Sequence, residues 1–542
     1  MPDPRFSILA PVSDPPRSML DEMLASVQGQ DFADWELCLC ADGATRPQIR
    51  EALDTAAARD SRVRVRYCDA GGMAAAEAEA LRMAGGSFVA LLGDRDRLHR
   101  EALVSVDRAL QLTPEADFVY TDEDEIDAEG RRSGAFFKPD WSPERLRVEM
   151  YTGRLSFLRR SLLEEVGGYD PALGDAAEWD LVLRVTEQAR AVLHVPRVLC
   201  DRHVIELDGD VVEGGGGSGA ARVRAVQAHC ERIGLPARAE PDPSRPGGCR
   251  LRPELTEAPT VSIVIPTCGQ SREIRGKATV LVLYCMRSIL ATSTYDRYEV
   301  VCVADTSTDT STLEELRVLG GERLRVVPYD QPFNFSAKIN LGAAHSDGEH
   351  LLFLNDDMEV LTPDWIERMI MYSSQAGIGA VGAQLRWEDE RVQHAGVVLE
   401  RGLPGHVYRG AGGELSGYAR NVLVTQNYLA VTGACLMTPR DAFERVGGFP
   451  AELPVNYNDI YYCLALRDHG LRVVYDADTV LYHFESSSRD TKVNDWEKSM
   501  LRERWQSVIG EDPYSNPNLR YGEPRPGLLR RGARFARARL SR

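Results

Sequence analysis

The chain repeats itself at a spacing of about half its 542 residues, and this duplication limits its fold more than any other feature. FSILAPV at 6–12 returns as VSIVIPT at 261–267, WELCLCAD at 35–42 as YEVVCVAD at 298–305, and SFVALLGDRD at 87–96 as EHLLFLNDDM at 349–358. EEVGGYDPAL at 164–173 matches ERVGGFPAEL at 444–453, and AEWDLVLRV at 177–185 stands where YNDIYYCLALR occurs at 457–467. Matches that keep their order over so long a period mean two copies of one domain rather than a solenoid. The expected division is a first copy at 1–235, a linker at 236–257, a second copy at 258–520 and a basic tail at 521–542. Between the copies, 208–219 reads as a Gly-rich loop, 220–234 as a helix, and the Pro-rich stretch 236–259 as a linker around one short strand.

Each copy opens with a short apolar strand, a helix and another apolar strand, the pattern of an α/β domain whose mostly parallel sheet is covered on both faces. Ligands of such sheets bind outside the carboxyl ends of the strands. In the second copy those ends carry Pro266 and Thr267, Asp305, and the set Asn355, Asp356 and Asp357. Carboxylates crowded at a strand end repel one another unless a cation or ligand compensates. Further on, Asn458-Asp459 adds a second acidic site and His483 ends a strand-like segment. Oxygen ligands with one imidazole suit Mg²⁺ or Mn²⁺ holding phosphate oxygens. Thr362-Pro363-Asp364 reads as a helix cap, and Trp365 and Met369 as an apolar core stripe.

Composition narrows the classes. There are 64 Lys and Arg against 82 Asp and Glu, and a net charge of -18 argues against nucleic acid as a partner. No apolar run reaches the roughly 18–20 residues of a membrane-spanning helix, and the N-terminus has no signal-peptide pattern, so a cytoplasmic protein is expected. The 11 cysteines are scattered and odd in number, as in a reduced compartment, and match no zinc spacing.

The second copy resembles family-2 glycosyltransferases of the GT-A fold, in particular the bacterial branch that builds surface polysaccharides such as rhamnose-containing O-antigens. The segments that carry the resemblance are VSIVIPT, PFNFSAKINLGA, FLNDDMEV, QHAGVVL, GHVYRG, VTGACLM, YNDIYYCLALRDHGLRVVY, YHFESSSR and DPYSNPNL. The first copy is similar to the companion domain of tandem members, through TDEDEID at 121–127 and FFKPDWSPERL at 136–146. The resemblance implies two tandem GT-A domains, a donor that is a UDP-, dTDP- or GDP-linked sugar, and a glycan or lipid-linked acceptor. It implies that Asp357 and His483 ligate Mn²⁺ or Mg²⁺, that Asp459 is the catalytic base, and that Pro266, Thr267, Asp305, Asn340, Asn355 and Asp356 line the donor site. A carboxylate that deprotonates the acceptor hydroxyl and a metal that neutralises the departing diphosphate together perform a single, inverting displacement. His394 has no role assigned from the sequence.

Relatives often read Val-Asp-Asn where this chain has Val303-Ala304-Asp305, a second acid where Tyr461 stands, and Arg where Leu341 stands, with Lys338 nearby as a substitute. The first copy departs further: Gly93-Asp94-Arg95 replaces Asn355-Asp356-Asp357, and its donor segment lacks the Asn. An Arg cannot ligate a metal, so a degenerate first copy is expected. The alternative is a bifunctional enzyme, with Asp94 and Asp96 restoring an acidic pair and Glu178 or Asp180 as base. A non-catalytic carbohydrate-binding scaffold is the third reading. The tail at 524–542 alternates Arg with apolar residues, which suits either peripheral contact with the inner face of an anionic membrane or a disordered basic segment.

Overall fold

A computed structural model describes residues 3–42, 45–68, 72–127, 129–203, 219–400, 403–412, 417–485, 493–506, 508 and 512–519. The basic tail and all but the last residue of the Gly-rich loop lie outside the described residues.

Each copy is built on one mixed sheet, and the two sheets share a strand order. In the second copy this runs Leu324–Tyr329, Tyr298–Asp305, Val261–Thr267, His350–Leu354, Cys435–Pro439, Ile378–Arg386, Arg472–His483, Met358–Val360. In the first it runs Val63–Cys68, Trp35–Asp42, Phe6–Val12, Phe88–Leu91, Phe157–Arg159, Ala116–Ile126, Ala191–His203, Arg97–Leu98. The first four strands of each order are parallel, and the fifth runs antiparallel to both neighbours. Register follows the repeat: Phe6 faces Trp35 and Phe88 as Val261 faces Tyr298 and His350. Every residue of Phe6–Val12 and of Val261–Thr267 is buried, which is why these strands read as almost wholly apolar runs.

A serine inside each central strand is used the same way twice. Ser7 donates to Glu36 at 2.7 Å and accepts from the Gly86 amide at 2.8 Å; Ser262 donates to Glu299 at 2.7 Å and accepts from the Gly348 amide at 2.7 Å. A Cβ on Gly86 or Gly348 would lie 2.7 or 2.5 Å from the serine backbone nitrogen, so only glycine permits this approach.

The helix Trp365–Ser373 buries Trp365, Ile366, Met369 and Ile370, as the apolar stripe predicts. The expected cap does not form. Asp364 instead accepts from Arg368 at 2.9 Å, and Thr362 donates to the Asp478 carbonyl at 3.1 Å, a tertiary bond that outcompetes the local one. The expected helix between the copies is Gly219–Arg232. The Pro-rich stretch holds two strands, Ala237–Pro241 and Cys249–Pro253, paired as a hairpin, where one short strand was expected. Ala237, Ala239, Cys249 and Leu251 are buried in a core shared with residues of both copies. The Cys249 amide donates to the Val148 carbonyl of the first copy, and Arg368 of the second donates to the Leu251 carbonyl. The segment is therefore a packed wedge and not a flexible tether. Among the described residues no helix is long and apolar enough to cross a membrane.

The copies also meet through buried polar groups. Asn516, near the end of the second copy, donates to Asp122 at 3.0 Å and to the Lys138 carbonyl at 2.8 Å. The same Asp122 bonds His194 Nε2 at 2.9 Å, while His194 Nδ1 meets Asp140 at 2.8 Å. Burial alone would depress the imidazole pKa, but the two carboxylates overcome it and raise it to about 9. With both ring nitrogens facing carboxylates, His194 is an imidazolium. Its folded value lies above the usual value near 6.5, so its stabilisation is complete below about pH 6.5, declines above it and is gone beyond about pH 9. Urea unfolding of wild type and His194→Gln should differ by about 3 kcal/mol at pH 6, and the gap should close by pH 10; a gap independent of pH would contradict a charged ring.

Candidate active site

The residues singled out in the second copy gather at the carboxyl ends of its parallel strands. Thr267 ends the central strand, Asp305 ends its neighbour, and Asn355, Asp356 and Asp357 follow His350–Leu354 directly. His483 ends the long strand Arg472–His483, and Asp459 lies in the first turn of the helix Asn458–Asp468. Each polar group meets a specific partner. Thr267 Oγ1 donates to Asp356 Oδ2 at 2.5 Å, tying the central strand to the acidic turn, and accepts from the Gly269 amide at 3.0 Å.

Asp305 is neutralised from within the fold. Lys338 Nζ lies 2.5 Å from its Oδ1 and donates to the Thr267 carbonyl at 3.0 Å. The ammonium is almost fully buried, 5.3 and 5.5 Å from the ring centres of Tyr329 and Phe333. Asn340 is committed to structure: its amide donates to the Phe449 carbonyl at 2.8 Å and its oxygen accepts from the Phe449 amide at 2.9 Å. A Cβ on Gly448 would come within 2.6 Å of that oxygen.

Asp357 and His483 face one another, with Oδ1 to Nε2 at 3.1 Å. His483 Nδ1 donates to Gln393 Oε1 at 2.7 Å, and Gln393 Nε2 donates to Glu485 at 3.2 Å. That chain fixes the ring and turns Nε2 toward Asp357. Burial opposes the charged imidazole, but the Asp357 carboxylate more than compensates and raises its pKa. Asn355 completes the group, its amide 3.3 Å from His483 Nε2.

Asp459 is half-buried and accepts from the Gly433 amide at 2.9 Å and from the Ile460 amide at 2.8 Å. Burial raises its pKa and these bonds only partly offset the rise. The next residue, Ala434, accepts from the Asn355 amide at 2.9 Å, so one backbone step separates the anchor of Asp459 from the anchor of the Asn355–Asp357 turn. A Cβ added at Gly433 would stand 3.3 Å from the Asp459 Cβ and 3.5 Å from Phe335, close packing against the base. Tyr457, just before this helix, takes a left-handed φ of 61°, a strained setting at the turn into the helix; Asn458 is buried, its amide donating to the Leu453 and Val455 carbonyls at 3.4 and 3.3 Å.

Sequence reading passed over Gln393, Glu485 and His406 and left the role of His394 open. Gln393 and Glu485 orient His483, and His394 accepts from the Thr432 amide at 3.3 Å while its Nδ1 lies 2.8 Å from His406 Nδ1. Burial keeps both histidines neutral, lowering His406 to about 4 and holding His394 well below its usual value. The signal was present, since QHAGVVL, GHVYRG and YHFES hold these residues, but nothing in the motifs names the pairing.

The first copy assembles a different site. Asp94 accepts from the Ser13 amide and hydroxyl at 2.7 and 2.9 Å, and Asp96 from the Gly93 amide at 3.0 Å. Asp180 is spent on Arg184 one helical turn away, at 2.7 Å. Strand register sets Arg202 where the second copy has His483, because Arg97 faces Asp201 as Glu359 faces Tyr482. Arg95 already stands at the place of Asp357, so cations replace both members of that pair. Arg154, at the place of Ala434, lies 3.5 Å from Asp96, and the Asp96 and Glu178 carboxylates hold its charge. Burial raises the Glu178 pKa, and Arg154 only partly offsets this.

The family model "Glycosyl transferase family 2" matches residues 7–167 and 262–447, one segment in each copy. The chain belongs to glycosyl transferase family 2. It is 36% identical over 544 residues to the uncharacterized protein y4gI of Sinorhizobium fredii, covering 95% of this chain and 58% of that protein. It is 36% identical over 539 residues to the O-antigen biosynthesis protein RfbC of Myxococcus xanthus, covering 97% of this chain and 41% of that one. The chain thus spans about half the length of these relatives. Among solved structures, S. aureus TarS aligns with a TM-score of 0.35 and 15% identity over 42% of this chain and 39% of that one. GalNAc-T7 aligns with a TM-score of 0.37 and 13% identity over 46% of this chain and 50% of that one. Family membership and the shared strand order make this chain two tandem GT-A domains.

Lys338→Met should cost about 2–4 kcal/mol in urea unfolding, because it leaves the partly buried Asp305 carboxylate without its ammonium. The double variant with Asp305→Asn should recover at least half of that loss; additive losses would mean that the two groups do not interact.

Proposed function

We propose that the second copy transfers a sugar from a nucleoside-diphosphate donor to a hydroxyl of a glycan or lipid-linked acceptor, in the synthesis of a surface polysaccharide. The observation that carries this reading is the junction at Gly433 and Ala434, which anchors a carboxylate with a raised pKa beside the Asp357–His483 pair. The kinship with a protein named for O-antigen biosynthesis supports the choice of product class.

Asp459 accepts the proton of the acceptor hydroxyl as it attacks the anomeric carbon. Its raised pKa makes it a stronger base than an exposed aspartate. The attack is a single displacement, so the anomeric configuration inverts. Asp357 and His483 fit a hard divalent ion, Mn²⁺ or Mg²⁺. One carboxylate oxygen and one imidazole nitrogen lie 3.1 Å apart, and Gln393 fixes the ring behind. Among the described residues no cluster of three or more His, Cys, Asp or Glu could hold a metal, so such an ion would take its remaining ligands from donor phosphates and water. When bound, it supplies positive charge to the leaving diphosphate. Thr267, Asp305 with Lys338, and Asp356 line the donor side, and Asn340 shapes it from behind through Phe449. The first copy, with Arg95, Arg154 and Arg202 in place of Asp357, Ala434 and His483, does not catalyse. The enzyme works on the cytoplasmic face of the membrane, where the tail at 524–542 meets anionic lipid.

A screen of UDP-, dTDP- and GDP-sugars with Mn²⁺ or Mg²⁺ tests this, read by thermal stabilisation and by release of the nucleoside diphosphate. Asp459→Asn should lower transfer by about 10²–10⁴-fold while keeping nucleotide binding. Asp357→Ala should remove the metal-dependent part of nucleotide binding. In wild type the rate should rise with pH through one ionisation on the acid side, as a base must be deprotonated to act. Full transfer by Asp459→Asn would overturn the assignment.

A further inference from the structure

The strap from Leu403 to Tyr428, described here over 403–412 and 417–428, touches both halves of the candidate site and also the first copy. On the base side, His406 bonds His394, whose Nε2 accepts from the Thr432 amide, and the next amide, Gly433, holds Asp459. On the metal side, Arg409 pairs with Glu485 at 3.0 Å, Glu485 accepts from Gln393, and Gln393 orients His483. The far end of the same strap is fastened to residues 135–145 of the first copy. The Tyr418 hydroxyl donates to the Ala135 carbonyl and accepts from the Phe137 amide at 2.7 Å. Arg145, only 1% exposed, donates to Asn421 Oδ1 at 2.7 Å, Gln426 Oε1 at 3.1 Å and the Ala419 carbonyl at 2.9 Å. Ser142 Oγ donates to Asn427 Oδ1 at 2.9 Å and accepts from the Asn427 amide at 3.0 Å.

The geometry points to the first copy as a structural wall of the second copy's active site, with Arg145 and Tyr418 as positioning residues that set Asp459 and His483 through the strap. This rests on the function proposed above and adds the reason why a copy without a metal pair is attached. A buried guanidinium with three partners across the boundary is costly to leave unpaired, so the strap is held in one arrangement. The links from it to the site end on the Thr432 amide, through His394, and on the His483 ring, through Glu485 and Gln393, two groups that must keep their direction. Catalytic groups misplaced by about 1 Å lose rate on the order of 10²-fold, so a small release at Tyr418 is read at Asp459.

Two variants of the full chain test the idea: Tyr418→Phe, which removes only the bridging hydroxyl, and Arg145→Lys, which keeps the charge but not the forked contacts. The direct readout is amide hydrogen exchange. Thr432 and Gly433 should exchange at least about 10-fold faster in the variants, while Ile263 and Val264 of the central strand stay as in wild type. Thermal stabilisation by UDP with Mn²⁺ should weaken together with kcat, because the strap also orients His483 on the metal side through Arg409, Glu485 and Gln393. With a donor that wild type turns over, kcat should fall at least about 10-fold, and donor hydrolysis without transfer should rise relative to transfer. Unchanged exchange at Thr432 and Gly433 in Tyr418→Phe would overturn the coupling, as would unchanged kcat in a folded variant. If Arg145→Lys does not fold, Tyr418→Phe alone decides. If wild type turns over no sugar nucleotide, the proposed function fails, whereas the exchange measurement still judges the coupling.

Discussion

Four carboxyl groups of the second copy, Asp305, Asp356, Asp357 and Asp459, are delivered to one edge of a sheet, and their mutual repulsion has to be answered within the fold. Each is answered by a different chemistry. Asp305 has the buried ammonium of Lys338, Asp356 the Thr267 hydroxyl, Asp357 the His483 ring, and Asp459 two backbone amides. These unlike partners give the acids unlike properties: one is charge-paired, one faces an imidazole, and one is left with a raised pKa and the capacity to take a proton. The parallel register of the central strands makes the gathering unavoidable, since chain entering at one end must leave its turns at the other.

The duplicated fold shows what happens when that answer changes. Both copies keep the serine bridge between Ser7 and Glu36, or Ser262 and Glu299, and both keep the close glycine beside it, so the scaffold is conserved down to single hydrogen bonds. At the strand ends they diverge. Arg95, Arg154 and Arg202 bring fixed positive charge into the first cleft, and Asp96 and Glu178 are absorbed by Arg154. The packed hairpin at 237–253 and the polar contacts of Arg145, Ser142 and Asn516 join the two copies through buried groups, which makes their relation part of the structure of the site.

Much of the scaffold could be read from residues alone. The repeat located both sheets, the apolar runs located their strands, and the acidic turns fell at the ends where ligands of such sheets bind. The cap at Thr362 to Asp364 was misread because Thr362 has a tertiary acceptor, the Asp478 carbonyl, that local pattern cannot display. The hairpin was read as a linker around one short strand because its Pro-rich composition is that of a tether, while its apolar residues alternate over only a few positions. Asn340 lies in the expected segment, yet its amide is spent on Phe449, a partner more than a hundred residues away.

The sequence by itself determined the duplication, the α/β class, and which copy keeps an acidic set at its strand ends, because these depend on local pattern and on comparing the chain with itself. Only the tertiary structure decided which groups pair: Lys338 with Asp305, His483 with Asp357 and Gln393, His394 with His406, and Arg145 with Asn421 and Gln426. The reason is that a hydrogen bond has a reach of about 3 Å in space and none along the chain. Partners far apart in sequence are chosen by the packing of the elements that carry them, and one-dimensional order holds no record of that choice.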